Sequence, residues 1–395
     1  MGHSLERDAM DRRSVLQLIG GVAVSGVRPL ALQLPRLDRV VIAGAGILGA
    51  NIAYQLAKRG APVTVLDRAT PAHGATANSF AWINAKKQPF PYFALNLLGI
   101  QAWRDLHGEL GSALPVTWGG TIEWTSSADR AAAQAEAIRR YQTWGYPIHG
   151  IDQRQLRALE KNVVATDLTS AAHAEIEGSA DPVLATEMIL ASAIRAGAQL
   201  RHPVEVVGLD IRNGRLRAVK TSTGEVEADV LVIACGTDTP RVAAMAGLTV
   251  PLTRSPGILV HTTPQPHVID RIVLSPIGNI KQKVNGRIVT GRDFGPAADE
   301  TTSREHGERF LKEMSAVLPQ LAGAELDKVT LGLRPLPKDG QPIIGFPRGR
   351  RDVYLTVMHS GITLGPLVGR LAATEILDGV EVDPLAPYRL ERFKT

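Results

Sequence analysis

The chain has 395 residues, of which 44% are hydrophobic and 21% charged, a composition typical of a globular protein with one large or two interleaved domains. Its formal net charge of +5 is small for this length, and no basic stripe is interleaved with aromatic residues, so the sequence disfavours nucleic-acid binding. The single cysteine, Cys235, excludes an internal disulfide framework, a cysteine-rich zinc site and an iron–sulfur cluster.

The first 36 residues predict an N-terminal extension outside the fold. Arg12 and Arg13 precede an apolar stretch over residues 15–27, which is too short to span a bilayer and suits the hydrophobic part of an export signal. The paired arginines resemble a twin-arginine signal, which predicts a periplasmic or exported protein. No A-x-A cleavage site follows, so an extension without export function on a cytoplasmic protein is the alternative.

A nucleotide-binding pattern comes next. An apolar run over residues 40–43, rich in β-branched side chains, predicts a buried parallel strand. The G-x-G-x-x-G glycines that follow it are Gly44, Gly46 and Gly49. A helix over residues 46–59 and a second strand lead to Asp67, which stands 23 positions after the first glycine. This unit predicts a site for an adenine dinucleotide, and the acid favours a free ribose 2′-hydroxyl, hence FAD or NAD over NADP.

Small and hydroxylated residues follow within residues 74–79. Thr76, Asn78 and Ser79 can surround a phosphate and donate hydrogen bonds to it. A plain Ser/Thr loop is the alternative, which the preceding strand–helix–strand unit disfavours.

Further elements follow along the chain, and those within residues 91–144 interrupt the nucleotide-binding pattern and predict the start of a second domain. The predicted helices span residues 91–111, 129–144, 182–196 and 304–318, and the predicted strands span residues 119–125, 199–202, 204–210, 216–221, 228–234, 279–284 and 287–291. Asp181 and Pro182 suit the N-cap and first position of the third helix. Gly236 follows a buried strand, where the backbone can approach a ligand.

Two turn-rich stretches lie near the end of the chain. Residues 332–345 are dense in turn formers around one arginine, Arg334. After a strand over residues 353–357, residues 358–366 predict a Gly-rich turn, and a helix follows to about Leu377. The N–H groups and the positive dipole end at such a helix start suit an electron-rich or anionic group.

In their order along the chain, these segments resemble the FAD-dependent amine and amino-acid oxidoreductases: D-amino-acid oxidase, glycine oxidase, sarcosine oxidase and the small subunit of D-amino-acid dehydrogenase. The segments that carry the resemblance are the fingerprint through Asp67, residues 74–79, residues 230–236, and the motifs of residues 334–345 and 359–369. Together they extend over residues 37–378, and the ordered set is specific for a flavoprotein of this type.

The resemblance implies how FAD is bound. The implied cofactor-binding residues are Gly44, Ala45, Gly46, Ile47, Leu48, Gly49, Asp67, Arg68, Thr76, Asn78, Ser79, Val204, Gly236, Gly361, Ile362, Thr363 and Leu364. The glycine turn would hold the pyrophosphate, Asp67 with Arg68 the adenosine, and the backbone of Val204 the adenine side. N–H groups of residues 361–364 would stabilise negative charge at the pyrimidine edge of the reduced flavin. Cys235 lies outside the covalent attachment motif of sarcosine oxidases, so FAD is expected to be noncovalent.

The resemblance also implies the catalytic residues, Arg334 and His359. Arg334 stands where glycine-oxidase-like members bind the substrate carboxylate by a two-pronged pair; pairing with Asp339 or with backbone carbonyls is the alternative. His359 and Ser360 stand where some members carry a further arginine, so His359 is either a polar active-site group or packs beneath the helix start. No metal site is predicted, because the histidines show no paired metal spacing.

The predicted fold is α/β, with a Rossmann-like FAD-binding domain interleaved with an α+β substrate domain built on a mostly antiparallel sheet. The FAD-binding domain would comprise residues 37–85, 150–250 and 330–395, and the substrate domain residues 86–149 and 251–329.

The predicted function is oxidation of the CH–NH bond of an amino acid or secondary amine (a D-amino acid, glycine or sarcosine) by hydride transfer to flavin N5. The electron acceptor would be oxygen, a quinone or a carrier protein. Three alternatives stay open: an FAD-dependent 2-hydroxy-acid dehydrogenase, a nicotinamide-dependent dehydrogenase suggested by the fingerprint alone, and a non-catalytic flavin-holding subunit.

Overall fold

A computed structural model describes residues 38–292 and 300–393 of the chain. The twin-arginine-like segment lies outside these residues, so export stays a prediction. Within the described ranges, no helix is both long enough and apolar enough to cross a bilayer.

Eight α-helices occur within these ranges. They are α1 (Ile47–Lys58), α2 (Phe90–Leu110), α3 (Ala128–Thr143), α4 (Gln153–Leu159), α5 (Pro182–Arg195), α6 (Thr239–Ala244), α7 (Arg304–Met314) and α8 (Gly361–Asp378). Asp181 caps α5 as its sequence predicts, because its Oδ1 accepts the N–H groups of Val183 and Leu184 at 3.2 and 3.3 Å.

The sequence did not predict α4 and α6, and two of the predicted helices have other bounds in the structure. The helix predicted over residues 304–318 ends at Met314. Beyond that end, the carbonyl of Val317 accepts the N–H of Val164 at 2.9 Å. Helix α8 begins at Gly361 rather than after Pro366, which lies inside it.

A tryptophan on α2 explains why α8 continues through its proline. Pro366 has no N–H to donate to the carbonyl of Ile362, four residues earlier. Trp103 Nε1 donates to that carbonyl at 2.7 Å, so the acceptor is satisfied from another helix. The predicted boundary was wrong because this partner is far away in sequence.

The strands form two large and three small sheets within the described residues. They are β1 (Val40–Ala43), β2 (Val63–Leu66), β3 (Trp82–Ile83), β4 (Val116–Trp118), β5 (Thr121–Thr125), β6 (Ile148–Ile151), β7 (Ser170–Ala174), β8 (Gly178–Ala180), β9 (Gln199–Arg201), β10 (Val206–Arg212), β11 (Arg215–Thr221), β12 (Gly224–Glu227), β13 (Val230–Ile233), β14 (Leu252–Thr253), β15 (Pro256–Pro264), β16 (Ile272–Leu274), β17 (Asn279–Gln282), β18 (Arg287–Gly291), β19 (Leu326–Leu333), β20 (Leu336–Pro337), β21 (Ile343–Gly345) and β22 (Val353–Val357).

The first large sheet has six strands in the order β21-β22-β13-β1-β2-β9, and all its pairs except β21–β22 are parallel. Alternate residues of β1 face opposite sides. Val40 and Ile42 pack into a core with α1, α2, α5 and α8, whereas Val41 and Ala43 pack into a core with β10, β11 and α6. Buried on both faces, β1 is continuously apolar, as its sequence indicates.

The second large sheet has eight strands in the order β19-β15-β18-β17-β16-β5-β7-β6. Its pairs are antiparallel except for β16 and β5. A third core lies between this sheet and α7. The fold is therefore mixed α/β, with one mostly parallel and one mostly antiparallel sheet. The predicted division of the chain into two interleaved domains stays a prediction.

Candidate active site

A cavity lies at the edge where the parallel strands of the six-stranded sheet end. Ala43 ends β1, Leu66 ends β2 and Ala234 follows β13; all three line this cavity, as do Met358 and His359 after β22. Open α/β sheets bind ligands at this carboxyl edge.

The same cavity brings together most of the residues that the sequence predicts for the site. These lining residues are Gly44, Gly46, Ile47, Leu48, Asp67, Arg68, Thr76, Asn78, Ser79, Val204, Gly236, Arg334, His359, Gly361, Ile362 and Thr363. Three predicted residues do not line the cavity: Ala45, Gly49 and Leu364. Of these, Ala45 and Leu364 are fully buried. Two glycine turns far apart in sequence therefore share one crevice.

The first turn requires glycine at two positions. Gly44 has a φ of +106°, and a Cβ there would stand 2.4 Å from the carbonyl oxygen of Ala234. A Cβ on Gly49 would stand 1.9 Å from the carbonyl oxygen of Gly44. Close packing of β1, β13 and α1 thus explains the G-x-G-x-x-G spacing.

The second turn is held against the first by helix packing. A Cβ on Gly369 would stand 2.7 Å from the carbonyl oxygen of Asn51, so α8 and α1 approach closely. Neither helix is capped by its own N-cap side chain: Gly46 has none, and the Ser360 hydroxyl pairs with Tyr92 Oη at 2.7 Å. Residues at the start of each helix line the cavity, so both positive dipole ends border it.

Asp67 is buried at the end of β2 and still borders the cavity. Its Oδ2 accepts the N–H of Ala45 at 2.8 Å, and its Oδ1 accepts the N–H of Ala69 at 2.9 Å. A carboxylate has about four acceptor positions, so this side chain can also accept ribose hydroxyls.

The loop after β2 contributes hydroxyl groups. Thr76 Oγ1 accepts the N–H of Ile47 at 3.2 Å, and Ser79 Oγ accepts the N–H of Ala81 at 2.9 Å. A hydroxyl that accepts an N–H keeps its own O–H, which can be donated to a phosphate. The loop therefore brings donors to the start of α1.

The adenosine end of the predicted site is more exposed. Arg68 Nη1 lies 3.4 Å from Asp238 Oδ2, and about half of the Arg68 side chain is exposed. Val204 donates its N–H to the carbonyl of Asp67 at 2.7 Å, so its carbonyl is the backbone group it can offer to an adenine. Gly236 has a φ of +57° and begins a short 3-10 turn beside them.

The residues present fit FAD. At Gly46 a Cβ would crowd Thr76 Oγ1 at 3.1 Å, so the turn presents backbone to a pyrophosphate. The first turn of α8 offers N–H groups at the other end of the cavity. Cys235 Sγ donates to the carbonyl of Ala43 at 3.2 Å, and burial raises the pKa of its thiol to about 12. A neutral thiol is a poor nucleophile, which disfavours covalent attachment of the flavin at Cys235.

Arg334 is positioned by two strands that approach through glycines. A Cβ on Gly332 of β19 would stand 2.7 Å from the carbonyl oxygen of Asn78, which brings β19 to the cofactor loop. The guanidinium packs on Gly257 of β15, where a Cβ would stand 2.4 Å from Nη1, and Nη1 donates to the carbonyl of Pro256 at 2.8 Å. Burial lowers the pKa of Arg334 to about 10, so it is charged at neutral pH.

The sequence offers two alternative partners for Arg334, namely Asp339 and backbone carbonyls. Asp339 is paired with Arg392, whose Nε lies 2.6 Å from Oδ2 and whose Nη2 lies 3.0 Å from Oδ1. The backbone alternative is partly realised at Pro256. That bond to the backbone orients the guanidinium in the cavity wall.

His359 lies in the cavity wall, which Lys87 and Arg334 also line. Burial, together with Lys87 and Arg334, lowers the pKa of His359 to about 3. Its imidazole is therefore neutral at physiological pH and is a weak base. Lys87 lines the cavity as well, and burial also lowers its pKa. Sequence reasoning missed Lys87, for which the paired lysines in an otherwise uncharged stretch were the available signal.

A buried network behind the cavity was also missed. Trp82 Nε1 donates to Glu177 Oε2 at 2.7 Å and to Thr121 Oγ1 at 3.0 Å, and Tyr146 Oη donates to Glu177 Oε1 at 2.6 Å. The carbonyl of Trp82 accepts the hydroxyl of Thr363 at 3.2 Å. The network thus fixes the indole next to the start of α8.

Within residues 38–292 and 300–393, no group of three or more His, Cys, Asp or Glu side chains could hold a metal ion.

The sequence matches one known protein family over most of its length. The sequence profile of the family described as DAO, FAD dependent oxidoreductase, matches residues 39–375. A glycine oxidase from Geobacillus kaustophilus is 26% identical over 369 residues, which cover 89% of this chain and 96% of that protein. A glycine oxidase from Pseudomonas aeruginosa is 25% identical over 369 residues, with coverage of 89% and 98%.

The fold has a close counterpart among solved structures. The crystal structure of the glycine oxidase from Geobacillus kaustophilus superposes with a TM-score of 0.83 at 24% identity, and the match covers 91% of this chain and all of the other. This similarity confirms the predicted fold class.

Proposed function

Because the chain belongs to the DAO family of FAD-dependent oxidoreductases, we propose that it oxidises the CH–NH bond of a carboxylate-bearing amine, namely a D-amino acid, glycine or a sarcosine-like secondary amine. The observation that carries this proposal is the charged guanidinium of Arg334 in the same cavity as the N-terminus of α8. A cation at that point can hold a carboxylate while the adjoining carbon faces the flavin.

The residues of the chain supply orientation and charge. Arg334 would bind the carboxylate in two-pronged geometry, and its bond to Pro256 keeps the fork in place. The N–H groups at the start of α8 would stabilise negative charge on the bound ring. When bound, FAD supplies the hydride acceptor for the substrate carbon.

Amines fit this site better than 2-hydroxy acids. An amino acid can lose its ammonium proton to solvent before it binds, and the neutral amine then needs no base in the site, whereas a hydroxy acid needs a base for its hydroxyl proton as the hydride leaves. With a pKa of about 3, His359 is a poor acceptor for such a proton. Arg334 by itself would bind either class of acid.

An anaerobic titration of the purified FAD-bound chain tests the proposal. The visible flavin band is recorded while matched pairs are added: glycine against glycolate, and D-alanine against D-lactate. We expect bleaching by the amino acid of at least one pair and none by its hydroxy counterpart. Readmission of air then shows whether oxygen reoxidises the flavin.

Two other outcomes of this titration would favour the alternative functions. Bleaching by hydroxy acids alone would replace this proposal with a 2-hydroxy-acid dehydrogenase. A flavin that dithionite reduces but no small amine or hydroxy acid bleaches would favour the non-catalytic, flavin-holding role.

A further inference from the structure

The cavity at the carboxyl edge of the six-stranded sheet is lined by different charges in its two parts. Around the adenosine end, the charged lining residues are Asp67, Arg68, Glu205, Asp238 and Arg241. Carboxylates and cations are paired there: Asp238 Oδ2 lies 3.4 Å from Arg68 Nη1 and 2.7 Å from Arg241 Nη2. Apart from histidines, the other charged residues of the described lining are Lys87, Arg292 and Arg334, all of them cations. Although Arg292 is paired with Glu313 of α7, the balance of charge in this part favours an anionic group.

Lys87 lies in the segment between β3 and α2, and this segment is fastened to the start of α8. The N–H of Asn84 donates to Thr363 Oγ1 at 3.3 Å, and the N–H of Lys87 donates to the carbonyl of Ala85 at 2.6 Å. Thr363 belongs to the first turn of α8, where the flavin edge is expected. The backbone therefore places Lys87 at the flavin end of the cavity.

The two neighbouring lysines of this segment border different cavities. Lys86 lines a second cavity, to which β5 also contributes, and its Nζ lies 2.7 Å from Glu123 Oε2. Lys87 lines the first cavity and is partly buried; within residues 38–292 and 300–393, its ammonium group has neither an ion pair nor a hydrogen bond. Glu177, the carboxylate whose charge acts on Lys87, is buried and already accepts hydrogen bonds from two other side chains. Lys87 is therefore available to an anion in the cavity.

Lys87 and Arg334 act on the same imidazole. Burial and the charges of both cations lower the pKa of His359 to about 3, so both lie near it in the cavity wall. A carboxylate has about four acceptor positions, enough for a two-pronged contact with a guanidinium and one contact with an amine. A carboxylate bound by Arg334 can therefore also accept a hydrogen bond from Lys87.

We propose that Lys87 contacts the same substrate carboxylate as Arg334, and that this carboxylate binds with uptake of one proton by the Lys87 amine. This inference rests on the proposed amine oxidation, which assigns the carboxylate to Arg334. The neutral Lys87 –NH₂ becomes –NH₃⁺ as the carboxylate arrives, and the proton comes from solvent. Once protonated, Lys87 is not a base, so it cannot accept the hydroxyl proton of a hydroxy acid.

The proton uptake follows from the surroundings of the amine. Burial lowers the pKa of Lys87; the charge of Glu177 opposes this shift and that of Lys86 adds to it. A bound anion favours the charged amine, so the pKa of Lys87 is higher with the ligand than without it. Carboxylate affinity is then fully present below the lower pKa and is lost as pH rises toward the higher one. His359 and Arg334, with pKa values of about 3 and 10, keep their charge states between about pH 6 and 9.

Acetate is the probe for this inference on the FAD-bound enzyme, and acetamide is its uncharged counterpart. Calorimetric titrations in HEPES and in Tris, which differ in ionisation enthalpy, measure the protons taken up on binding. We expect acetate to bind with proton uptake near pH 8, and its dissociation constant to rise by at least about threefold between pH 7 and 9. Acetamide should bind without proton uptake.

Substitutions of Lys87 separate its charge from its proton. Lys87→Arg stays charged, so acetate should bind at pH 7 within about threefold of wild type but without proton uptake. Lys87→Gln should weaken acetate binding at pH 7 by about tenfold and should also abolish the uptake. Lys338→Gln is the matched control: Lys338 is exposed four residues after Arg334 and lines neither cavity, so this variant should behave as wild type.

Several results would overturn the inference. Acetate binding without proton uptake in the wild-type enzyme is one. Uptake that persists in Lys87→Arg would assign the proton to another group, such as Glu177, whose pKa is raised by burial. Unchanged acetate affinity in Lys87→Gln, together with a reduced flavin content, would place the amine on the cofactor instead. If Lys87→Gln does not fold, as judged by its melting temperature, Lys87→Arg still decides. Because acetate is not turned over, a flavin that no amine bleaches would refute the proposed function without deciding this binding result.

Discussion

Replacement of Arg334 by alanine is the most direct perturbation of substrate recognition. The guanidinium is charged at neutral pH, because its pKa of about 10 lies well above 7, and it is held by the carbonyl of Pro256 at 2.8 Å. Its environment is partly desolvated, since burial is the cause of the lowered pKa. A carboxylate bound there would lose a preoriented and charged partner.

The expected loss follows from that environment. Removal of one partner from a buried, hydrogen-bonded charge pair costs about 2–5 kcal/mol. This corresponds to a decrease in kcat/KM for an amino-acid substrate of about 30-fold to several thousand-fold. Arg334→Lys should fall between wild type and alanine, because it keeps the charge and loses the two-pronged geometry.

The assay compares the substrate with the same amine lacking its carboxylate. Steady-state kcat/KM for the amino acid should fall in Arg334→Ala, whereas the poor activity toward the decarboxylated amine should stay nearly constant. Equal effects on both substrates, or unchanged kinetics with the amino acid, would refute the assignment of Arg334 to the carboxylate.

Gly257→Ala tests the same point without removing the arginine. A Cβ at this position would stand 2.4 Å from Arg334 Nη1, and the guanidinium is the end of a flexible side chain that can move away. The substitution should therefore reduce kcat/KM for the amino acid by less than Arg334→Ala does, at nearly unchanged melting temperature. An unaffected kcat/KM would show that the position of the guanidinium is unimportant.

Three further predictions concern the cofactor turn, the histidine and the fold. Gly44→Ala should strongly reduce the flavin-to-protein absorbance ratio, because its Cβ would stand 2.4 Å from the carbonyl of Ala234 at a φ of +106°. His359→Gln should leave the shape of the pH profile of kcat/KM unchanged between about pH 5 and 9, since a group with a pKa of about 3 does not titrate there. Asp352→Asn should lower the free energy of unfolding in urea by about 1.5–3 kcal/mol at pH 7 and by progressively less in acid. Burial would raise the pKa of Asp352, but hydrogen bonds from Arg350 hold it below 3.8, so this stabilisation is present above 3.8 and is lost as pH falls through the folded-state value.

Each of these has a result that would contradict it. Gly108→Ala is the control for Gly44→Ala, because nothing lies within 4 Å of a Cβ at that exposed position of α2, and it should retain FAD. A full flavin complement in Gly44→Ala would show that the turn tolerates a side chain. Loss of a pKa between about 5 and 8 in His359→Gln would identify the histidine as a titrating group. For Asp352→Asn, a destabilisation independent of pH would exclude the charge as its cause.

Local sequence patterns predict the first half of the cofactor site well. The strand over residues 40–43, the helix over residues 46–59 and the acid at position 67 all follow from hydrophobic periodicity and glycine spacing, and the structure has them within one or two residues. These features depend on neighbours in sequence, so a single sequence contains them.

Features that depend on distant partners were harder to predict. The start of α8 was predicted too late. Pro366 has no N–H to donate to the carbonyl of Ile362, and Trp103 donates to that carbonyl from another helix. Glu177 and Tyr146 carry no local signal for a role near the cavity, because their contacts with Trp82 and with each other join segments far apart in sequence. A second cavity, lined by residues of α3, α7 and β5, also depends on how distant elements pack, so no local motif predicts it.

A crystal structure of the FAD-bound chain with a carboxylate inhibitor is the most direct test. We expect the pyrophosphate at the N-terminus of α1, the pyrimidine edge of the flavin at the first turn of α8, and one inhibitor carboxylate on Arg334. A flavin ring remote from Gly361 and Thr363, or an inhibitor bound without contact to Arg334, would contradict this account of the site.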